Sequence, residues 1–263
     1  MKNLNIALFA IILLPSVSFA GQSLEQILDN YYPNYDRNEE CLIYNSFNKS
    51  TEAYEKFCVK YNKQKTVTTT NGKRLYLLTQ GYSLERGTSN FRKEMVGLIT
   101  LKPDEKEGGW LVESANPFMI IGQTQEMVQN WEFRKFSPTV YGFLGNHSYG
   151  INGGTSYSDM VIITPNDKSS LVSKIDTHFD NNATYSCESN KLKCDNISAR
   201  VDINHSIIQN NFYPLDVIVN GKLDNKVYKN KTYRINYQKG KGYSIPKNYI
   251  LNKEENESIR RYK

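Results

Sequence analysis

The sequence has few of the residues on which most catalytic and metal centres depend. Its 263 residues include three histidines and four cysteines. So few histidines leave little basis for Cys/His nucleophilic catalysis. The Cys-x-x-Cys and Cys/His spacings of a zinc site do not occur either. We therefore expect no cofactor.

Long apolar runs and internal repeats are also missing. After the N-terminal segment there is no apolar stretch of about 18 residues or more, so the body of the chain contains no predicted transmembrane segment. No heptad array or self-similar repeat is recognisable. The hydrophobic fraction of 39% and the aromatic fraction of 12% are typical of a globular protein.

Two phosphate-binding or catalytic motifs are incomplete between residues 142 and 154. The segment Asn146–Gly150 comes close to the nucleophile elbow G-x-S-x-G, but Asn146 stands where the first glycine belongs. Gly153 and Gly154 are poor helix formers, so the helix that both motifs require is not predicted. We interpret the segment as a glycine-rich loop between strands, which can shape a binding surface.

Charge and aromatic content bear on the kind of partner. The net charge of +6 comes from 33 basic and 27 acidic residues. Averaged over the chain, this is a low density of positive charge, and we therefore expect no nucleic-acid partner. Nineteen tyrosines are the more distinctive feature. Tyrosine suits the half-buried faces of β-sheets and also anchors protein or sugar ligands.

The first twenty residues have the layout of a secretory signal peptide. Lys2 precedes the apolar run Ile6–Leu14, Pro15 ends that run, and Ser18–Ala20 supplies small residues at a cleavage site. We expect cleavage after Ala20 and a periplasmic or secreted product. The abundance of Asn, Lys, Ile and Tyr favours a bacterial source.

The four cysteines are expected to form disulfide bonds, because exported proteins fold in oxidising compartments. They occupy positions 41, 58, 187 and 194, and three pairings are possible. Sequence proximity favours the pairs Cys41–Cys58 and Cys187–Cys194.

Helical patterns are confined to the N-terminal quarter of the mature chain. Ser23 and Gln26 form a capping-box pattern, which predicts a short amphipathic helix over residues 23–31. Tyr54, Phe57 and Cys58 recur at helical spacing, which predicts a second helix from about Ser50 to Tyr61. Residues 21–65 are accordingly interpreted as a helical cap.

Strand patterns dominate from residue 66 onward. Asn71-Gly72 separates two runs rich in β-branched and aromatic residues, which predicts a β-hairpin. Further strand-like runs follow, separated by Gly, Pro and Asn clusters. The predicted fold is mainly β: an antiparallel sheet, or a partly closed barrel or sandwich, over residues 66–250. Residues 251–263 form a polar C-terminal tail.

One polar cluster has the composition of a weak metal site. Strict alternation in a strand would put Asp176, His178 and Asp180 on one face. Two carboxylates beside an imidazole are able to bind a divalent metal, although this spacing matches no specific ligand signature. A solvated polar strand face is the simpler interpretation.

These features favour an exported, non-enzymatic binding protein, either a periplasmic inhibitor or immunity-type protein or an envelope-binding module. Its partner is expected to be a protein or an envelope glycan. The predicted contact residues surround the glycine-rich loop: Tyr141, His147, Tyr149 and Tyr157.

The alternative is an exported hydrolase of envelope or host polysaccharide. Such an enzyme needs two carboxyl groups about 5 to 10 Å apart. No local pattern marks them, and Asp176 and Asp180 are the nearest candidates.

Overall fold

A computed structural model describes residues 21–49, 52–85, 92–124, 127–151, 154–184, 187 and 194–252. The side chains of residues 123, 124 and 149–151 are not part of that description. The predicted signal peptide, residues 1–20, lies outside the described residues, as does most of the predicted tail, residues 253–263.

The described chain contains one short helix and many strands, in the following order along the sequence. They are α1 (Leu24–Tyr31), β1 (Asn34–Asp36), β2 (Cys41–Asn48), β3 (Ala53–Thr69), β4 (Gly72–Ser83), β5 (Arg92–Pro103), β6 (Trp110–Thr124), β7 (Gln129–Lys135), β8 (Tyr141–Ile151), β9 (Thr155–Asn166), β10 (Ser169–Asp180), β11 (Asn196–Ile203), β12 (Leu215–Leu223), β13 (Lys226–Ile235), β14 (Tyr237–Gln238) and β15 (Gly242–Tyr243).

The strands form two large antiparallel meanders. Strands β1 to β6 make a six-stranded sheet, called sheet A, in which each strand pairs with its neighbours in sequence. Strands β7 to β13 make a seven-stranded sheet, sheet B, by the same rule, and β14 and β15 form a small hairpin. The prediction of a mainly β, antiparallel fold with a small N-terminal helix is confirmed, although neither sheet closes into a barrel.

Helix α1 begins where the sequence predicts. The Ser23 hydroxyl accepts a hydrogen bond from the Gln26 backbone amide, and the Gln26 side chain accepts one from the Ser23 amide. The helix buries Ile27 against Leu77 and Ile99 of sheet A. Within the described part of the chain, no helix is long and apolar enough to cross a membrane.

The second predicted helix, from about Ser50 to Tyr61, is wrong, because β3 runs through it from Ala53 to Thr69. Phe57 and Cys58 are adjacent and both fully buried, but on opposite faces of the sheet. Phe57 packs in a cluster with Tyr32, while Cys58 packs beside Cys41. Only residues 57–59 of β3 are buried, whereas Tyr54 and Tyr61 are exposed. The strand therefore lacks a regular alternation, and its apolar residues also match a helical spacing.

The predicted hairpin and both predicted disulfides are confirmed. Strands β3 and β4 pair from Thr69 and Gly72 outward, and Gly72 takes the positive φ of +92° that follows the tight turn. The disulfides join Cys41 to Cys58 and Cys187 to Cys194, with Cα–Cα distances of 5.5 and 5.1 Å. Disulfide bonds of this kind are consistent with an exported protein.

The two sheets pack face to face on an apolar layer. Leu78 and Val96 of sheet A meet Phe143, Val161 and Ile163 of sheet B in this layer. The opposite face of sheet A is covered by α1. The central strands of sheet A are therefore buried on both sides.

Sheet B does not stay paired along its full length. Strand β10 pairs with β9 from Ser169 to Asp180, but pairs with β11 only over residues 178–180. Strands β11 to β13 turn away from the rest of the sheet. Their apolar faces form a second core with residues of β9, β10 and the C-terminal segment that includes Tyr243 and Tyr249.

Candidate functional site

A groove lies on sheet B beside the diverging strand β11. Its volume is about 410 Å³, and it is lined by β7, β8 and β9 together with β11. This volume falls within the range of about 300 to 1,000 Å³ that small-ligand sites occupy. Four aliphatic side chains contribute to its lining, namely Leu144, Met160, Val201 and Ile203.

Charged groups from two strands also line this groove. Glu132 and Arg134 of β7 form an exposed ion pair. Asp202 of β11 accepts hydrogen bonds from Arg200, with a distance of 2.8 Å from Nη2 to Oδ2. His205 completes the lining just beyond β11. The groove therefore combines an aliphatic surface with both signs of charge.

Strand β11 supplies both apolar and charged residues to the lining. Val201 and Ile203 point toward the second core, which they partly enter, whereas Asp202 borders the groove from the opposite face of the strand. The segment after β11 is held in place by backbone hydrogen bonds. The Tyr213 amide donates to the Phe136 carbonyl at the end of β7, at 2.8 Å.

A second polar group is buried between the sheets. His147 of β8 stands between two carboxylates: its Nε2 is 3.7 Å from Glu94 Oε2, and its Nδ1 is 3.9 Å from Asp159 Oδ2. Lys174 Nζ lies 3.4 Å from Asp159 Oδ2 and donates to the Ile121 carbonyl. Glu94, His147 and Asp159 are almost fully buried, so a substrate does not reach them in this conformation.

Glu94 is the most desolvated member of this buried group. Its Oε1 accepts hydrogen bonds from the Gln80 side chain and the Val128 amide, both at 2.7 Å. Its Oε2 receives no hydrogen bond from any described residue. Burial raises the pKa of Glu94, and those two hydrogen bonds and the charges of His147 and Lys174 oppose the rise.

The prediction of a glycine-rich loop is wrong for residues 141–151, because they form strand β8. Gly145 permits close packing, because a Cβ at this position would lie 2.8 Å from Trp131 Cε3. Sequence reasoning took these glycines as loop-forming because a packing partner distant in sequence is not visible in a local pattern.

The four predicted contact residues do not form one surface. His147 and Tyr157 are each only 2% exposed. Tyr141 is half-buried and stacks on Phe133, with ring centroids 5.3 Å apart. The side chain of Tyr149 lies outside the described residues. Burial thus removes His147 and Tyr157 from any exposed contact surface, since alternate residues of β8 and β9 face the interior.

The prediction that Asp176, His178 and Asp180 share one face of a strand is also wrong. A β-bulge shifts the register, so that Asp176 pairs with Asp159 whereas His178 pairs with Ser158. Consecutive residues of β9 face opposite ways, and Asp176 is therefore on the face opposite His178. Among the described residues, no group of three or more His, Cys, Asp or Glu side chains is arranged to hold a metal ion.

The groove residues were missed by sequence reasoning for a physical reason. The alternation of Val201, Asp202 and Ile203 marks β11 as a strand with one apolar face. This alternation does not indicate that β11 pairs with β10 over only three residues. The divergence of the two strands brings β11 to the groove. Comparison with family models, curated proteins and solved structures gives no match.

Proposed function

We propose that this chain is an exported, non-enzymatic binding protein that takes an aliphatic segment of a protein partner into the groove on sheet B. The observation that carries the proposal is the lining of the groove. Aliphatic side chains provide apolar contact area, and the ion pairs Glu132–Arg134 and Arg200–Asp202 offer polar contacts of both signs. Specific protein interfaces combine these features, with an apolar centre and a polar rim.

A protein segment suits the groove better than a glycan does. Sugar rings bind favourably against the flat face of an aromatic side chain, and the groove lining among the described residues contains no Phe, Tyr or Trp. Met160 is a flexible side chain that adapts to differently shaped aliphatic partners. This chemistry favours a peptide with Leu, Ile or Val beside a charged residue.

The hydrolase alternative has less support from the same residues. Glu132 and Asp202 both line the groove, but their side chains are 49% and 47% exposed. A general acid is kept protonated at neutral pH by burial, which neither carboxyl has. Asp176 and Asp180, the carboxylates that the sequence favours, face opposite sides of the sheet.

The proposed location is the periplasm or the extracellular medium. The two disulfides, Cys41–Cys58 and Cys187–Cys194, support export because such bonds persist in oxidising compartments. An inhibitor or immunity-type protein with a protein target fits that location and the groove.

Methyl NMR with peptides selected by phage display on the oxidised protein tests the proposal. We expect the selected peptides to shift the methyl signals of Met160 and Ile203. We also expect Val201→Asp to weaken their binding by about tenfold or more, because it places a charge in the apolar contact.

The matched control is Ile120→Asp, a substitution at a 46% exposed position of β6 in sheet A. This variant should bind the same peptides as the wild type does. Peptides that bind V201D unchanged, or that shift only methyl signals outside the groove, would contradict the proposal. Hydrolysis of a polysaccharide by the wild type, lost in Glu132→Gln, would favour the enzyme instead.

A further inference from the structure

The positive charge of the chain is concentrated in one segment. Residues 215–247 contain eight Lys and Arg residues and two Asp residues, so they carry a net charge of +6, which equals the charge of the whole chain. The other 25 basic and 25 acidic residues cancel. We expected an evenly distributed positive charge, and this expectation is wrong. Counting the charged residues by segment shows the concentration from the sequence alone.

The fold gathers much of this charge along one edge of sheet B. Strand β13 is an outermost strand, because it pairs with β12 alone. We define the basic ridge by the exposed cations on β13, namely Lys226, Lys229, Lys231 and Arg234. The ten residues of β13 extend over about 30 Å.

Few carboxylates neutralise the ridge. Asp216 accepts a hydrogen bond from Arg234 Nε at 2.9 Å. Within the described residues, no ion pair involves Lys226 or Lys229. The lysines thus present an open row of charges to solvent.

Protection of the strand edge accounts for only part of this row. Lysines on an edge strand prevent pairing with the edge of another molecule, and Lys226, Lys229 and Lys231 are able to do this. Protection of an edge does not depend on the sign of the charge, whereas the segment 215–247 carries the whole net positive charge of the chain.

We infer that the basic ridge binds an acidic polysaccharide chain along strand β13. An extended row of cations complements a linear polyanion. Lysine supplies point charges that suit distributed carboxylate or sulfate groups, whereas Arg234, which has a bidentate fork, is engaged with Asp216. Tyr228 and Tyr233 on this strand are half-buried, so the ridge lacks the exposed rings that stack on nucleic-acid bases.

The ridge is separate from the groove in the proposed function. The groove is lined by β7, β8, β9 and β11, and no residue of β13 lines it. A protein partner and an acidic polysaccharide are therefore able to bind independently, and failure of one proposal leaves the other intact.

Binding to polygalacturonate at about 0.1 M salt tests the inference. We expect the wild type to bind, with an affinity that falls as salt rises. The triple variant K226E/K229E/K231E should bind about a hundredfold more weakly and with a shallower salt dependence. Because glutamate keeps the strand edge charged, this variant retains protection of the edge and loses only the complementarity.

The matched control is K56E/K60E/K65E, which makes the same charge change at exposed positions of β3 in sheet A. It should retain most of the binding. Equal loss in both triple variants, or no binding by the wild type, would overturn the inference. Stronger binding to single-stranded DNA or to vesicles containing phosphatidylglycerol than to polygalacturonate would overturn it as well. Circular dichroism melting verifies that each variant is folded.

Discussion

Sheets A and B are built by the same rule and end with different surfaces. Both are antiparallel meanders in sequence order. In sheet A, strands β4 and β5 stay paired from Leu75 to Tyr82, and the sheet is enclosed between α1 and sheet B. In sheet B, pairing between β10 and β11 is limited to three residues, and the groove lies beside the diverging strand.

The difference shows how a meander acquires a groove without a dedicated loop. A continuously paired sheet satisfies its backbone groups and packs its side chains on flat neighbouring layers. When two consecutive strands diverge, the freed strand faces its own sheet. Here the freed strand β11 lines the groove together with β7, β8 and β9, whereas β10 contributes no residue to the lining. Sheet A is therefore expected to be the rigid support, and sheet B to carry the ligand site.

The rigidity of sheet A is tested most severely at Gly97. A Cβ at this position would lie 2.4 Å from Thr79 Oγ1 and 2.7 Å from the Tyr32 hydroxyl. That hydroxyl donates to the Pro117 carbonyl at 2.8 Å. We expect Gly97→Ala to lower the free energy of unfolding by about 3 kcal/mol or more, through overpacking and loss of a buried hydrogen bond. Urea denaturation measures the loss.

Gly240→Ala, in the β14–β15 turn, is the control for Gly97→Ala. Gly240 has a φ of +76°, and a Cβ added there would meet no atom within 4 Å, so alanine costs only backbone strain of about 1 kcal/mol. An equal loss of stability in the two variants would contradict the view that close packing around Gly97 determines the cost of the substitution.

The two disulfides extend the comparison, because each is close to one sheet. Cys41–Cys58 closes a separation of 17 residues in sheet A, and Cys187–Cys194 closes one of 7 residues between β10 and β11. We expect the double Cys→Ala variants to lose about 3 and about 2.5 kcal/mol of unfolding free energy, respectively. Denaturation of each variant under oxidising conditions measures the losses.

The location of the effect distinguishes the two disulfides further. Removal of Cys187–Cys194 should increase amide hydrogen exchange mainly in β11, beside the groove, because the short pairing between β10 and β11 depends on that connection. Uniformly faster exchange in both sheets would show that sheet B is no less continuous than sheet A.

Local sequence patterns predicted most of the fold and little of the site. The α1 cap, the β3–β4 hairpin and the disulfide pairs depend on residues close in sequence, and all three are confirmed. The helix predicted from about Ser50 to Tyr61 is wrong because β3 has three consecutive buried residues, Phe57 to Val59, between exposed ends, so its sequence shows no alternation.

The candidate site depends on relations that local patterns do not contain. The bulge at Thr177 and the divergence of β10 from β11 are set by tertiary packing. His147 was selected for its chemistry but is buried, since the position of β8 between two cores is not visible in its own sequence. The basic segment 215–247 can be found by counting charged residues segment by segment. The net charge of the whole chain does not reveal it.

The smallest expected effect concerns Glu94, at the boundary between the sheets. Burial raises its pKa, so Glu94 favours folding below the unfolded-state value of about 4.3 and loses that contribution as the pH rises through the raised pKa. Glu94→Gln keeps an oxygen for the bonds from Gln80 and Val128. We expect this variant to gain about 1 kcal/mol of unfolding free energy at neutral pH, relative to the wild type, and no gain at acidic pH.

Asp216 of sheet B provides the matched control with the opposite sign. A hydrogen bond from Arg234 lowers the pKa of Asp216, so this carboxylate favours folding above its unfolded-state pKa and loses that contribution as the pH falls through the lowered value. Asp216→Asn should therefore reduce stability at neutral pH and have little effect in acid. Urea denaturation across pH 3 to 8 compares both variants with the wild type. If Glu94→Gln instead destabilises the protein at neutral pH, the attraction of Glu94 to His147 and Lys174 outweighs the cost of burying it, and the boundary between the sheets is held by charge rather than by apolar packing alone.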